Sequence, residues 1–251
     1  MFGLAKIGSD SYFMGGVPVI GGGIDFDAAG DVGFGDLAAQ GGDFTVDAGG
    51  DITLNSASAS QIVDFAAGGS ITATGNITGD QQIALAAGTG LVTGVDLTSD
   101  GIIVVDAAGA VDLDDVDGFS IDIEGASVEV GQTTSTGTTE LTSGAMGSVT
   151  AGTMTAGGDI LIDAGTGGFT GTTLDADQAV IIFTEGGAQF TSATGDDLVS
   201  VNGDGNVDVT SLNGGNGAVV DVTGTLVADT VSAGANGVAD ISAAQGITID
   251  N

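Results

Sequence analysis

Residues 48–54 of the chain are AGGDITL, residues 66–77 are AAGGSITATGNI and residues 156–168 are AGGDILIDAGTGG. In each stretch a Gly-Gly pair and one polar residue precede apolar residues that alternate with other residues. Alternation with a period of two is typical of a β-strand with one buried face. Glycines adopt the backbone conformations that sharp corners require, so the Gly-Gly pairs mark turns between strands. This unit of turn and strand decides the fold.

The apolar residue that follows each turn recurs about every twenty residues, at intervals of 17 to 21. A strand-built repeat this short predicts a solenoid. The recurring positions are Phe34, Ile52, Ile71, Leu91, Val111, Val128, Val149, Phe169, Phe190, Val207, Leu226 and Ile247.

The apolar pattern within each repeat predicts up to three strands. One lies seven to nine residues before the recurring position, one includes it, and one follows four to six residues later. The third strand is weak or missing after Ile52, Val128 and Phe190. No segment keeps the spacing of a helix. The sequence therefore predicts an all-β fold, a triangular parallel β-solenoid of about twelve coils of roughly 20 residues over residues 24–251, in which like residues stack, for example Phe169 on Phe190.

The two ends of the chain differ from each other. Residues 1–23 lie outside the repeat and are dense in large apolar residues, so they form either a cap on the first coil or an arm that docks on another subunit. The repeat continues to the other end. We expect the last rung to expose the apolar interior of the coil at Val238, Ile241, Ile247 and Ile249.

The charge is strongly negative, with 34 Asp and Glu against one basic residue, Lys6, and a net charge of −33. Binding to phosphates depends on Lys and Arg, so nucleic acid is excluded as a partner and an anionic membrane surface is disfavoured. No segment approaches the roughly 20 apolar residues of a membrane span, so we expect no membrane insertion. The acidic surface favours solubility in salty water or the binding of divalent cations.

Catalytic constellations are not found in the sequence. The chain has no Cys, His or Arg, so its Ser and Thr lack an activating base. The pairs Asp114-Asp115 and Asp196-Asp197 are the local candidates for carboxylate catalysis, and we expect both at solvent-facing corners. We therefore predict that the protein is not an enzyme and assign no catalytic, cofactor-binding or metal residue.

Calcium is the one cofactor that the sequence leaves open. The segment from Asn202 to Asp208 places oxygen-bearing side chains at every second position, as calcium loops do. An EF-hand needs Glu at the twelfth position, where this chain has Asn213, so a polar corner without a metal is the other interpretation.

Rows of threonine raise a further alternative, an ice-binding surface. Such a surface needs Thr-x-Thr at the same place in many consecutive coils, and here the pattern is clear in two or three. The threonines concerned are Thr133, Thr134, Thr136, Thr138, Thr139, Thr150, Thr153, Thr155, Thr170, Thr172 and Thr173.

The segments at 48–54, 66–77 and 156–168 resemble the repeats of the filamentous-haemagglutinin type of bacterial adhesins, and the resemblance covers about residues 30–251. It implies a right-handed parallel β-helix that is exported through an outer-membrane partner. The secretion domain at the N-terminus of that family is not recognisable here. We expect an extracellular or cell-surface structural protein that assembles with itself, head to tail, into a filament or matrix fibre. The alternatives are the stalk of a secreted adhesin and a binding module for calcium or carbohydrate.

Overall fold

A computed structural model describes residues 12–14, 22–94 and 96–250. The described residues form strands, turns and bends, with no helix among them. Parallel strands stack into a β-solenoid of about 11 turns of ~20 residues, which confirms the predicted fold class. The chain divides into two compact units, Met1–Gly125 and Ala126–Asn251.

Alternation between inward and outward side chains builds each strand. In Phe44–Ala48, Phe44, Val46 and Ala48 point inward and are at most 1% exposed, whereas Asp47 is exposed. Side chains of neighbouring strand residues point to opposite faces, so three short strands in one turn enclose a narrow apolar core. The same alternation recurs in the other turns.

In the first unit, every turn contributes a strand to one face, here called the first face. Its strands pair in parallel, with register partners 18 to 20 residues apart, such as Phe44 and Val63. The first-face strands are Ile24–Ala28, Phe44–Ala48, Ile62–Ala67, Gln82–Ala87, Ile102–Ala107 and Ser120–Gly125.

The second and third faces of this unit are formed by short strands separated by a corner. Second-face strands are Tyr12–Met14, Val32–Phe34, Ile52–Leu54, Ile71–Ala73 and Val92–Thr93; third-face strands are Asp36–Ala39, Ser56–Ala59, Ile77–Gly79 and Leu97–Ser99. A single strand, Ala110–Gly118, then runs along both faces. It bends where two consecutive residues, Asp114 and Asp115, are both exposed.

The segment 1–23 is described only in part. Tyr12–Met14 pairs in parallel with Val32–Phe34, with Tyr12 opposite Val32. This places the short strand one turn before Val32–Phe34. Residues 1–11 and 15–21, on which the choice between cap and arm depends, lie outside the described residues.

The second unit has the same plan with longer strands. Its first-face strands are Thr139–Ser143, Ile160–Ala164, Ala179–Thr184, Leu198–Gly203, Gly217–Val222 and Val238–Ala243. Six longer strands run along the other two faces, and the short strand Gly246–Ile249 lies on the second face only. The six are Ser127–Ser135, Ser148–Ala156, Gly168–Ala176, Ala188–Gly195, Val207–Gly214 and Thr225–Ala233.

The third face is also present in the turns where the sequence predicted it to be weak or missing. Its inward residues there include Ala57, Thr133 and Ala193, which are 2%, 1% and 0% exposed. These side chains are small or polar, so a search for large apolar residues overlooks the strand. The turns concerned are those of Ile52, Val128 and Phe190.

Three of the recurring positions were assigned to the wrong residue. Ile52 pairs with Val32 rather than with Phe34. Val92 occupies the inward position in place of Leu91, which is 39% exposed. Val207 pairs with Ala188, two residues before Phe190. In each turn a larger neighbour masked the true register position.

Aromatic contacts in the core are diagonal rather than directly stacked. The rings of Phe169 and Phe190 have centroids 5.7 Å apart, although the register partner of Phe169 is Ala188. The predicted contact is therefore present, but its register differs by two residues. In the first unit the rings of Phe26, Phe34, Phe44 and Phe65 form a chain of edge-to-face contacts with centroid distances of 5.0 to 6.1 Å.

Candidate functional surfaces

Some of the acidic side chains accept hydrogen bonds from the next rung. The Oδ1 atom of Asp31 accepts a hydrogen bond from the backbone N–H of Asp51 at 3.0 Å, and Oδ1 of Asp51 accepts one from Ser70 N–H at 2.8 Å. The Oγ of Ser70 accepts the next bond, from Leu91 N–H at 3.3 Å. Side chains at this corner therefore form a ladder along the unit.

A short motif marks three of the carboxylates that act in this way. Gly-Gly-Asp occurs at 41–43, 49–51 and 157–159. In each case the Asp accepts a hydrogen bond from a backbone N–H of the following turn. Ile62 N–H donates to Asp43 Oδ1 at 3.2 Å, and Ala179 N–H donates to Asp159 Oδ1 at 3.0 Å. This role was not predicted from the sequence, although the repeated motif is a usable signal.

Both Asp-Asp pairs lie where the sequence predicted them. Asp114 and Asp115 are exposed at the bend of Ala110–Gly118. Asp196 and Asp197 are exposed in the turn before the strand that begins at Leu198, and Oδ1 of Asp197 accepts a bond from Asn216 Nδ2 at 2.8 Å. Both pairs therefore sit at solvent-facing corners.

The calcium-like segment spans a corner of the second unit. Asn202 lies on a first-face strand and Asp208 on the following strand, with Asp204 and Asn206 in the turn between them. The Oδ1 of Asn206 accepts hydrogen bonds from the N–H of Thr225 at 2.9 Å and from its hydroxyl at 3.1 Å. Asn206, one of the four side chains, is thus hydrogen-bonded to the next turn. The described residues contain no group of three or more acidic, His or Cys side chains that could hold a metal ion.

Threonine columns are short in both units. In the second unit Thr155 is followed in register by Asp175, which ends the Thr-x-Thr pattern of that strand after one rung. A column that was not predicted lies in the first unit, where Thr53, Thr72 and Thr93 occupy three successive rungs. A column of three falls short of the many consecutive coils that an ice-binding surface needs.

A groove on the second unit combines an aromatic ring with carboxylates. Phe183 points outward from a first-face strand and is 51% exposed. Its register partners are Asp163 on the preceding rung and Asn202 on the following one. The groove has a volume of about 180 Å³ and is lined by Asp163, Phe183, Thr184, Glu185, Asn202, Gly203 and Asp204.

Backbone bonds hold the acidic rim of this groove in place. Glu185 N–H donates to the carbonyl of Ala164 at 3.0 Å, and Asp204 N–H donates to the carbonyl of Thr184 at 3.1 Å. The buried Thr184 hydroxyl accepts the N–H of Gly186 at 3.1 Å. Glu185 and Asp204 therefore occupy the same corner on consecutive rungs.

A second groove, of about 420 Å³, lies on the first unit. It is lined by Ala38, Ala39, Gln40, Ser58, Ala59, Ser60, Thr78 and Asp80. Its walls are small side chains with a single carboxylate, so it offers few groups that would orient a ligand.

Comparison of the chain with protein-family models, with curated proteins and with solved structures found no match. The described residues contain no helix of the length and hydropathy needed to cross a membrane. Inferences about function therefore depend on the residues and surfaces described above.

Proposed function

We propose that the protein is a structural β-solenoid of the cell surface that assembles head to tail into a filament or matrix fibre. The observation that carries the proposal is the exposure of an inward column on the last described turn. Ile247 is 48% exposed, whereas its register partner Leu226 is fully buried. A rung of a second copy placed against Ile247 would bury it as the following turn buries Leu226.

The strands of this turn have one paired neighbour each in the part of the chain that the structure describes. Among the described residues, Val238–Ala243 pairs only with Gly217–Val222, and Gly246–Ile249 pairs only with Thr225–Ala233. Unpaired strand edges recruit further strands. Ile241 and Ile249 also lie in inward columns and are partly exposed.

Val238 does not belong to the exposed interior, contrary to the expectation from sequence. It is 69% exposed, but its register partner Gly217 lies in an outward position of its strand. The apolar edge therefore consists of Ile241, Ile247 and Ile249. Burial of apolar surface contributes about 25 cal/mol per Å², so a few hundred Å² at such an edge is worth several kcal/mol before the costs of association.

The strand Tyr12–Met14 offers a matching edge. It is a second-face strand that pairs on one side with Val32–Phe34, and Gly246–Ile249 pairs on one side with the first residues of Thr225–Ala233. Pairing between these two strands from different copies would continue the parallel stacking without closing on itself. This geometry supports head-to-tail growth.

The test compares two charge substitutions on neighbouring residues of one strand. Ile247→Glu places a carboxylate on the inward edge and should abolish fibres, while Thr248→Glu adds the same charge on the outward side and should leave them intact. Electron microscopy of the 251-residue chain supplies the measurement. Equal fibre formation by both variants would contradict assembly through this edge.

Removal of residues 1–23 tests the other partner of the contact. We expect the shortened chain to keep its β-type circular dichroism and to lose polymerisation. Fibres from the shortened chain would show that this segment serves only as a cap. Rods of one length from the full chain at high concentration would support the stalk of an adhesin instead of a filament.

A further inference from the structure

Two neighbouring first-face strands of the second unit carry no charge on their outer side. Ala179–Thr184 presents Ile181 and Phe183 outward, and the next strand presents Leu198, with no outward charge on either strand. Inward and outward apolar residues thus follow one another from Val180 to Phe183. Continuous apolar runs are typical of parallel strands that are covered on both faces.

The apolar surface extends along the register to the adjacent rungs. Leu161 is the partner of Ile181 on one side, and Val219 lies one rung beyond Ser200 on the other. All three apolar members of this column are partly exposed. In a chain with a net charge of −33, an uncharged patch of this kind indicates a docking surface.

Carboxylates border the patch on the side of Phe183. Asp163 precedes Phe183 in register, and Asp221 follows Asn202 in the same column. Glu185 and Asp204 lie at the adjacent corner and line the groove beside the ring. A cation placed over the ring face would meet both the negative face of the aromatic system and these carboxylates.

Charge complementarity identifies the class of occupant. The whole sequence contains one Lys and no Arg or His, so a second copy of this chain cannot supply a row of cations. At about 180 Å³ the groove is smaller than the roughly 300 Å³ at which pockets for whole small molecules begin. It suits one long side chain of a larger partner.

We propose that this surface binds a basic, partly apolar peptide segment of a different protein. An Arg or Lys side chain lies in the groove over Phe183, with its charge between Asp163, Glu185 and Asp204. An apolar residue of the same segment packs on Ile181 and Leu198. This function is separate from head-to-tail assembly, because it uses a lateral face rather than a strand edge.

The experiment measures binding of fluorescent peptides to the full chain in 0.15 M NaCl by anisotropy. The probe peptide is Arg-Leu-Arg-Leu-Arg, and Arg-Ser-Arg-Ser-Arg has the same charge without apolar side chains. Phe183→Thr removes the ring, and Phe119→Thr removes another exposed ring, which is 54% exposed on the first unit. Phe183→Leu keeps an apolar side chain and loses only the aromatic face.

Equal-charge variants separate the site from general attraction to an acidic protein. The site variant is Asp163→Asn with Glu185→Gln and Asp204→Asn; the control is Asp112→Asn with Asp114→Asn and Asp115→Asn, which removes three exposed carboxylates of the first unit. We expect Phe183→Thr to weaken binding about fivefold. The site triple variant should weaken it about tenfold, and both controls by less than about twofold.

Three results would overturn the proposal. The first is that the probe peptide does not bind at millimolar concentration. The second is that the two peptides bind with equal affinity, and the third is that the site and control variants weaken peptide binding equally. If Phe183→Thr disturbs the β-type circular dichroism, Phe183→Leu decides: affinity as high as in the unmodified chain would exclude the cation over the ring.

Discussion

Thr133 places a hydroxyl in the core without a hydrogen-bond partner among the described residues. It is 1% exposed, and its register partner on the next rung is Met154. A buried hydroxyl without a partner costs about 1–3 kcal/mol relative to one that is satisfied. This residue is therefore a weak point in the packing of the second unit.

Substitution of this residue should stabilise the protein. Thr133→Val keeps the shape of the side chain and removes the unpaired oxygen, so we expect the free energy of unfolding to rise by about 1 kcal/mol. The matched control is Thr139→Val, because the Thr139 hydroxyl is buried and lies 2.9 Å from Ser135 Oγ. Urea denaturation of both variants supplies the measurement. A loss of stability in Thr133→Val would show that the hydroxyl has a partner such as buried water.

Asp51 illustrates a carboxylate whose oxygen matters more than its charge. Its Oδ1 accepts the Ser70 N–H at 2.8 Å, and a Cβ on Gly69 would collide with the same oxygen. The glycine is thus needed for close approach of the carboxylate. The glycine of one turn thus makes room for the carboxylate of the preceding turn.

We expect Asp51→Ala to lower the free energy of unfolding by about 1 kcal/mol, because the Ser70 N–H loses its acceptor. Asp51→Asn retains an acceptor oxygen and should stay within about 0.5 kcal/mol of the unmodified chain. Thermal and urea denaturation distinguish the two variants. Equal destabilisation by both would mean that the negative charge, rather than the hydrogen bond, stabilises the corner.

At the scale of the strand, like charges face each other across neighbouring rungs. Asp27 and Asp47 are direct register partners, and both are exposed. Strands in a sheet are about 4.8 Å apart, and two charges at that distance in water repel by about 1 kcal/mol without salt. The parallel stacking that buries the core therefore also aligns carboxylates unfavourably.

Neutralising one member of this pair should stabilise the protein only at low salt. Asp47→Asn is expected to raise the free energy of unfolding by up to about 1 kcal/mol at low ionic strength, and the gain should vanish at 1 M NaCl, where the Debye length is about 3 Å. Asp64→Asn is the control, because its register partners Thr45 and Ala84 are uncharged. A gain that persists in molar salt would argue against repulsion as its cause.

Strand patterns also show where prediction from sequence succeeds. Alternation identifies Phe44–Ala48 because every inward residue is apolar and Asp47 marks the outward face. It fails for Ser56–Ala59, whose inward residues are two alanines, and for Ser127–Ser135, whose inward Thr133 is polar. Small and polar residues carry too little hydrophobic signal to define a strand alone, and the register of neighbouring turns is needed.

At the scale of the whole molecule, the period of about twenty residues was sufficient to predict an all-β solenoid, because stacked turns must present matching residues at each level. The groove at Phe183 was not predicted. Alternation separates two faces of a strand, but in the run from Val180 to Phe183 both faces are apolar, so the outward residue has no distinct signature. Its carboxylates come from three different turns, which only the register brings together.

The last prediction concerns the effect of net charge on assembly. Each chain carries a net charge of −33, so the approach of two copies is opposed by repulsion over a distance that salt shortens, to about 10 Å at 0.1 M. The attraction between apolar surfaces at Ile247 acts only at short range, and salt does not screen it. We therefore expect fibre formation to rise steeply between low salt and 1 M NaCl.

Divalent cations refine this expectation. At equal ionic strength CaCl₂ should promote fibres more than NaCl if calcium bridges carboxylates of adjacent copies, because oxygen ligands are those that calcium prefers. Light scattering against salt concentration gives the measurement, and Ile247→Glu should remain unassembled in both salts. Fibre formation that is independent of NaCl would mean that charge repulsion does not limit assembly. Fibre formation that falls as NaCl rises would mean that the contact between copies is itself an electrostatic attraction.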